Sequence, residues 1–386
     1  MNSRIFGAGV AVALAVAPLA TSAASAVPAT QFRQIVAGTY HSCGVTTAGA
    51  AMCWGRNDLG QVGDGTTNER HTPVVVAGLS AGVRSISPGS FHTCAVLDNG
   101  SVKCWGHNAY GALGDGTERT RLRPVQVLGL FSGVATVRAS YYSTCALTKA
   151  GKALCWGNNE HGQLGDGTTH SRLTPAPVAG LTSGVAAISL ADRHACALLT
   201  SGLAKCWGDN YYGQLGDGTA RNSRTTPVAV TSVGGSVAAI TAGGWFYTCA
   251  RTSAGAVKCW GNNEFGQLGF GTWDDDAHPV PTPVPGLARG VNAISVGTAH
   301  GCARLTGGAM KCWGHGNSGE LGNGTTPDYS TAVQVSGMDS GASSISAGDY
   351  VSCALQAGVG KCWGTNDYGE VGDGTTITRT RPALVG

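Results

Sequence analysis

A Cys-Trp-Gly triplet recurs seven times, beginning at Cys53, Cys104, Cys155, Cys206, Cys259, Cys312 and Cys362, at intervals of 51, 51, 51, 53, 53 and 50 residues. A period near 50 residues held over seven copies marks a repeat array, in which each unit buries its apolar surface against its neighbours. The units carry short Val, Ile, Ala and Thr runs broken by Gly, Asn and Asp, without the 3.6-residue spacing of apolar positions that helical repeats need. One copy reads TPVVV from Thr72, VRSIS from Val83, HTCAVL from His92 and SVKCWG from Ser101, four short strands that make one propeller blade. The expected fold is therefore all-β, a seven-bladed β-propeller of four-stranded blades over residues 27–386. Phe32 to Ala37 is the counterpart of VRSIS and Arg381 to Gly386 that of TPVVV, so the C-terminal strand is expected to complete the first blade and leave no open edge.

Residues 1–26 follow a different pattern. Arg4 precedes an apolar stretch from Ile5 to about Leu19, and Ala24-Ser25-Ala26 offers a small-residue cleavage site, the layout of a secretory signal peptide. The stretch is too short to span a bilayer comfortably and Pro18 interrupts it, so export with no membrane attachment after cleavage is the expectation. A net charge of +3 with no run of Lys or Arg gives no electrostatic basis for binding nucleic acid or an anionic membrane.

All fourteen cysteines fall into one scheme. Cys43, Cys94, Cys145, Cys196, Cys249 and Cys302 each precede a triplet cysteine by ten residues, and Cys353 precedes Cys362 by nine. In the second copy a turn centred on Asn99 sets Cys94 opposite Cys104 in an antiparallel hairpin, close enough to bond. The shorter seventh copy keeps Cys353 opposite Cys362 through a turn at Ala357-Gly358, so seven hairpin disulfides are expected. Zinc would need paired Cys-x-x-Cys spacing or a constant histidine, whereas the residue two before the first cysteine is His41, His92, Ser143, His194, Tyr247, His300 or Val351. No metal and no cofactor are expected.

The units share the phrase G-x-[YF]-H-[ST]-C-A-L, then V-K-C-W-G-x-N-x-x-G-Q-L-G-D-G-T, shown well by His194-Ala-Cys-Ala-Leu198 and by Trp207 to Gly216. This resembles the repeat of the regulator of chromosome condensation family, in a cysteine-bearing form found in exported bacterial proteins. The resemblance covers nearly all of residues 27–386 and implies a seven-bladed propeller, not one activity. Ser183-Gly-Val-Ala-Ala-Ile-Ser189 is also distantly similar to a phrase of the propeller-type β-lactamase inhibitors, whose repeats are shorter and lack the cysteines.

Comparing the copies with one another exposes a second pairing. Asp64, Asp115, Asp166, Asp217 and Asp373 are followed six or seven residues later by Arg70, Arg121, Arg172, Arg224 and Arg379, and both partners vanish together in copies five and six. Structural Asp-Arg pairs that fix the loop are expected. The seven triplet tryptophans are expected to pack between blades, and the histidines at the strand-entry position in four blades to cap backbone.

Because each hairpin turns at one end, the loops entering its first strand and leaving its second must share the opposite surface. These loops hold thirteen of the nineteen aromatic residues outside the triplets, among them Tyr40, Phe91, Tyr110 and Tyr368. Aromatic crowding on loops is the composition of a recognition surface. The candidate binding residues are Tyr141, Tyr142, Tyr211, Tyr212, Trp245, Phe246, Tyr247, Phe265 and Tyr350, with Asp192 and Arg193 as polar contacts. The insertion from Phe270 to His278 should expose Trp273, and its Asp274-Asp275-Asp276 triplet lacks the ligand spacing of a calcium loop. No catalytic constellation stands outside the repeats. The reading is a secreted, monomeric, non-enzymatic propeller that binds an extracellular protein. A glycan-binding or wall-associated role is the alternative, and a nucleotide exchange factor or hydrolase the least expected.

Overall fold

The computed structural model describes Met1 and residues 30–244 and 246–386, so the leader expectation and Trp245 lie outside the described residues. Among the described residues twenty-eight strands form seven four-stranded antiparallel sheets, each built from four consecutive strands. Blade 1 runs Phe32–Ala37, His41–Thr46, Ala51–Gly55, Arg70–Val75, and blade 7 runs Ala342–Ala347, Val351–Gln356, Val359–Gly364, Arg379–Leu384. First strands line a central channel of about 540 Å³, and fourth strands form the half-exposed rim. Second strands such as His92–Leu97 are buried along almost their whole length, because neighbouring blades cover both their faces. They therefore read as continuous rather than alternating apolar runs.

The closure differs from expectation. The C-terminal strand Arg379–Leu384 pairs with Val359–Gly364 of blade 7 and does not complete blade 1. The strand represented by TPVVV follows its Cys-Trp-Gly strand through the long loop that carries the GDGT phrase and stays in the same sheet, so every blade is local in sequence. Blades 7 and 1 meet as other neighbours do, with Trp54 Nε1 donating to the Glu370 carbonyl at 2.8 Å and Phe32 N–H to the Gly358 carbonyl at 2.9 Å.

Seven disulfides join the facing cysteines at Cα separations of 4.0–4.1 Å. Such short loops constrain the unfolded chain modestly, by ~2–3 kcal/mol each in the chain-entropy model. The turn of the seventh hairpin is Ala357-Gly358, with φ of 52° and 78°, the left-handed pair that a two-residue hairpin requires.

The seams between blades carry the side-chain logic of the repeat. All seven triplet tryptophans are fully buried. Each donates its Nε1–H to a carbonyl of the preceding blade, as Trp105 does to Gln61 at 3.0 Å and Trp207 to Gln163 at 2.9 Å. The indole lies against the glycine two residues beyond that carbonyl. A Cβ on Gly63 would sit 2.4 Å from Trp105, and one on Gly165 2.6 Å from Trp207.

The strand-entry histidines do not cap backbone. His41, His92, His194 and His300 reach Thr93, Thr144, Thr248 and Ser352 of the next blade at 2.7–2.9 Å. Thr93 in turn donates to the Gln61 carbonyl, so His41 Nε2 must carry the proton that Thr93 accepts. Burial holds all four imidazoles down at about 3, neutral at physiological pH. Tyr247 occupies the same position in blade 5 and donates instead to the His300 carbonyl, opposite Gly301.

A third seam contact links first strands. Ser87, Ser189, Ser295 and Ser346 accept from the backbone N–H of Ala139, Ala242, Ala347 and Ala37 at 2.9–3.1 Å. Between blades 1 and 2 the acceptor position is Val36 and the donor position is Pro88, so acceptor and donor are lost together.

These contacts separate two classes of glycine. Gly165→Ala should cost roughly 3 kcal/mol or more, since the new Cβ meets Trp207 at a φ of 70°. Gly180→Ala, at a φ of 67° with nothing within 4 Å, should cost only about 1 kcal/mol. Denaturant unfolding of the two variants under oxidising conditions measures the difference.

Candidate functional site

The loops leaving each first strand and each third strand meet at one mouth of the channel, where a cavity of about 350 Å³ is lined by residues from both sets. The seven positions four residues before the first cysteine are Thr39, Ser90, Tyr141, Asp192, Trp245, Thr298 and Asp349, and the following position supplies Tyr40, Phe91, Tyr142, Arg193, Phe246, Ala299 and Tyr350. Blade walls repeat closely, but this ring does not. Asp192 and Asp349 stand on blades 4 and 7, as far apart as a seven-membered ring allows.

Rings run along much of the mouth. Tyr40 stacks on Phe91 with centroids 5.7 Å apart, Phe91 on Tyr142 at 5.5 Å, and Tyr141 meets Tyr142 edge-on at 4.4 Å. Tyr110 and Tyr368 extend this arc from the leaving loops. On the other side Tyr212 stacks on Phe246 at 5.7 Å and meets Tyr211 at 4.9 Å, while Phe265 and Tyr350 both pack on His315. Tyr110 and Phe246 hold left-handed backbone, φ 60° and 59°, which costs each ~1 kcal/mol and aims its ring into the belt. A second cleft of about 290 Å³ lies between Tyr211, Tyr212, Arg221, Glu264 and Asp275.

Of the expected binding residues, Tyr247 does not belong to this surface. It is fully buried in the strand Tyr247–Thr252, with Gly243 leaving room for its ring. The position two before the cysteine points into the seam, as the histidines do. Trp273 is half exposed, and the insertion it belongs to lengthens the fourth strand, Asp274–Pro283, instead of forming a free loop.

Hydroxyls that carry no sequence signal organise the acids. Ser90 bonds Thr39 at 2.6 Å, and Thr39 donates to Asp349 at 2.6 Å. Thr298 also bonds Asp349, and Ser140 donates to Asp192 at 3.4 Å. Burial raises both carboxyls above the usual range, Asp192 to about 8, where the Asp349 charge adds to the shift; the hydroxyl bonds oppose it at both acids and the neighbouring Arg193 opposes it at Asp192. Among the described residues no group of three or more His, Cys, Asp or Glu is placed to hold a metal ion.

Beneath the loops, each Asp-Arg pair is formed, at 2.6, 2.8, 2.7, 3.1 and 2.6 Å for Asp64, Asp115, Asp166, Asp217 and Asp373. In blade 5, Asp274 and His278 meet at 2.6 Å. A buried asparagine completes the loop, with Asn57 donating toward Asp64 and accepting from the Val62 N–H at 2.9 Å.

The Regulator of chromosome condensation (RCC1) repeat matches residues 49–96, 99–147, 150–198, 202–250 and 254–304, and a second description of the same repeat matches five further-framed segments from 32–61 to 237–267. The chain belongs to the RCC1-repeat family. It is 31% identical over 306 residues to the ultraviolet-B receptor UVR8 of Arabidopsis thaliana, covering 78% of this chain and 69% of the receptor. It is 31% identical over 276 residues to the human E3 ubiquitin-protein ligase HERC2, covering 70% of this chain but 6% of the ligase. Human WBSCR16 superimposes with a TM-score of 0.78 at 21% identity, covering 88% of this chain and 94% of that one. Prp20p of Saccharomyces cerevisiae gives 0.77 at 20% identity, covering 90% and 87%.

One RCC1-repeat position next to the mouth is electrostatically frustrated. Gln61, Gln163, Gln214 and Gln267 each accept from the backbone N–H two residues upstream, and Glu370 does so in blade 7. The other Glu370 oxygen is buried without a partner, and burial with Asp367 nearby pushes the carboxyl up to about 7. A folded value above the ordinary 4.5 means that stability is lost as pH rises from about 4.5 to about 7. Glu370→Gln should therefore stabilise the ring by roughly 2–3 kcal/mol at pH 8, with no gain at pH 4. Its amide is placed to donate to Asp367, as Gln61 does to Asp58 at 3.3 Å. Urea titrations at the two pH values check this.

Proposed function

We propose that this protein is an exported, non-enzymatic, protein-binding propeller that recognises an extracellular partner through the aromatic mouth. The observation that carries the reading is the two runs of rings at the mouth, Tyr40 through Tyr142 beside a concave cavity and Tyr211 through Phe246 beside a second cleft, on a surface where the blades differ. Tyrosine buries large area with little rotamer entropy to lose, and it leads in binding surfaces for that reason. A wall that is nearly invariant supports the same conclusion, since it holds variable loops rigidly without taking part in contact.

Seven disulfides support an oxidising, extracytoplasmic setting. The Arg4 to Ala26 pattern points the same way, and no helix among the described residues is long and apolar enough to cross a membrane. The relatives include an ultraviolet-B receptor and a ubiquitin-protein ligase, so the family supports a binding platform and no single activity.

Capture from culture supernatant tests the surface. Wild-type protein should recover a specific protein partner, and the Tyr141→Ala, Tyr211→Ala double variant should lose at least tenfold in recovery with an unchanged melting temperature. Equal recovery by both proteins overturns the assignment. Tyrosine-dependent binding to a glycan array with no protein captured would move the ligand to the carbohydrate class.

A further inference from the structure

The mouth combines rings and carboxylates in a way the rest of the molecule already uses. At the neighbouring blade junction, Arg56 places its guanidinium carbon 5.2 Å from the Tyr40 ring and 5.3 Å from Tyr368, and donates to Asp58 at 2.6 Å. That is a cation held between aromatic faces and a carboxylate. At the mouth itself Tyr40, Tyr141, Tyr142 and Tyr350 surround Asp192 and Asp349, and Glu160 adds a third carboxyl. Among the described residues no ion pair involves Asp192 or Asp349. Arg193 adjoins Asp192, but its guanidinium lies 5.4 Å over the Phe246 ring, turned toward the aromatic belt.

Two carboxyls facing one polar lumen resist ionising together: burial and the nearby Asp349 hold Asp192 up at about 8, and both can carry charge only when something positive comes between them. The hydroxyls of Thr39, Ser90, Thr298 and Ser140 fix the carboxyls but do not neutralise them. An anion would add to an acidic lining of Asp192, Asp349 and Glu160, and a neutral sugar would leave the repulsion between the acids in place. A cavity of about 350 Å³ is large enough for one side chain to enter with its stem against the rings.

We propose that the mouth takes a cationic side chain, an arginine or lysine of the partner protein, with its charge between Asp192 and Asp349 and its stem along Tyr40, Tyr141 and Tyr350. This rests on the protein-binding reading above. The guanidinium or ammonium supplies the positive charge that the paired acids lack, and the tyrosine faces contribute cation–π attraction. The anchor is central and desolvated, where interfaces concentrate their binding energy.

Calorimetric titration with small probes tests it. N-acetyl-arginine methylamide should bind at least tenfold more tightly than N-acetyl-norleucine methylamide, and N-acetyl-glutamate methylamide should not bind. The Asp192→Asn, Asp349→Asn double variant should lose at least tenfold for the arginine probe. Should that variant melt early, Tyr141→Leu replaces it, with a loss of threefold or more expected. Equal binding of the arginine and norleucine probes, or unchanged binding by the variants, overturns the proposal. Spermidine binding more tightly than a Ser-Gly-Arg-Gly-Ser peptide would overturn the assignment to a protein side chain in favour of a free polyamine. If the cation probes fail while tyrosine-dependent capture from supernatant persists, the cation site is wrong and the protein-binding reading stands; failure of both overturns both.

Discussion

The ring depends on an indole laid on a bare backbone. At each of the seven seams a buried tryptophan crosses to the preceding blade, gives its N–H to a carbonyl there and covers a glycine that has no room for a Cβ. The contact needs three things at once: a large flat ring, a left-handed glycine and a loop carbonyl with a lone pair free for the indole. It makes the period of the sequence the period of the structure. Disulfides add stiffness within each blade but do not join blades, so they leave the closure of the circle to these seams.

With the wall fixed in this way, the mouth is free to vary. Loops between first and second strands are short and anchored at both ends by covered strands. Substituting a loop residue therefore changes what the surface offers without disturbing the seams. Chemistry in the molecule accordingly divides by height. The disulfides, triplet indoles and strand-entry imidazoles are buried in the wall, and the loop tyrosines and acids ring the opening.

Most of the architecture was legible because it is written seven times. Comparing copies exposed the cysteine hairpins and the Asp-Arg pairs, since positions that change together within one chain reveal contact. The assignment of the TPVVV strand failed because chain order fits two framings of the blade equally well, and only the hydrogen-bond register of Gly55 with Arg70 and its equivalents separates them. Tyr247 was misplaced for a related reason: an aromatic residue beside Phe246 looks like surface, while its position in the repeat faces the seam. The His41–Thr93 contact and its equivalents stayed hidden because each spans more than fifty residues, and threonine carries no distinctive spacing. Thr39, Ser90 and Thr298 were invisible alone and acquire meaning only around Asp349.

The joint loss at Val36 and Pro88 has a consequence for how such a ring is put together. At four seams a serine on one blade receives an amide hydrogen from the next, and here neither side offers its half. Ser143 opposite Ala195, and Tyr247 opposite Gly301, show the same matched divergence. Edges that began interchangeable have become keyed to particular neighbours. Moving the second blade to follow the fourth, sixth or seventh would set Pro88 where a serine awaits a donor. The order of the modules is thus encoded in their flanks, and with it the compass bearing of Asp192 relative to Asp349, so a circle with no geometric beginning still presents one fixed orientation to whatever approaches it.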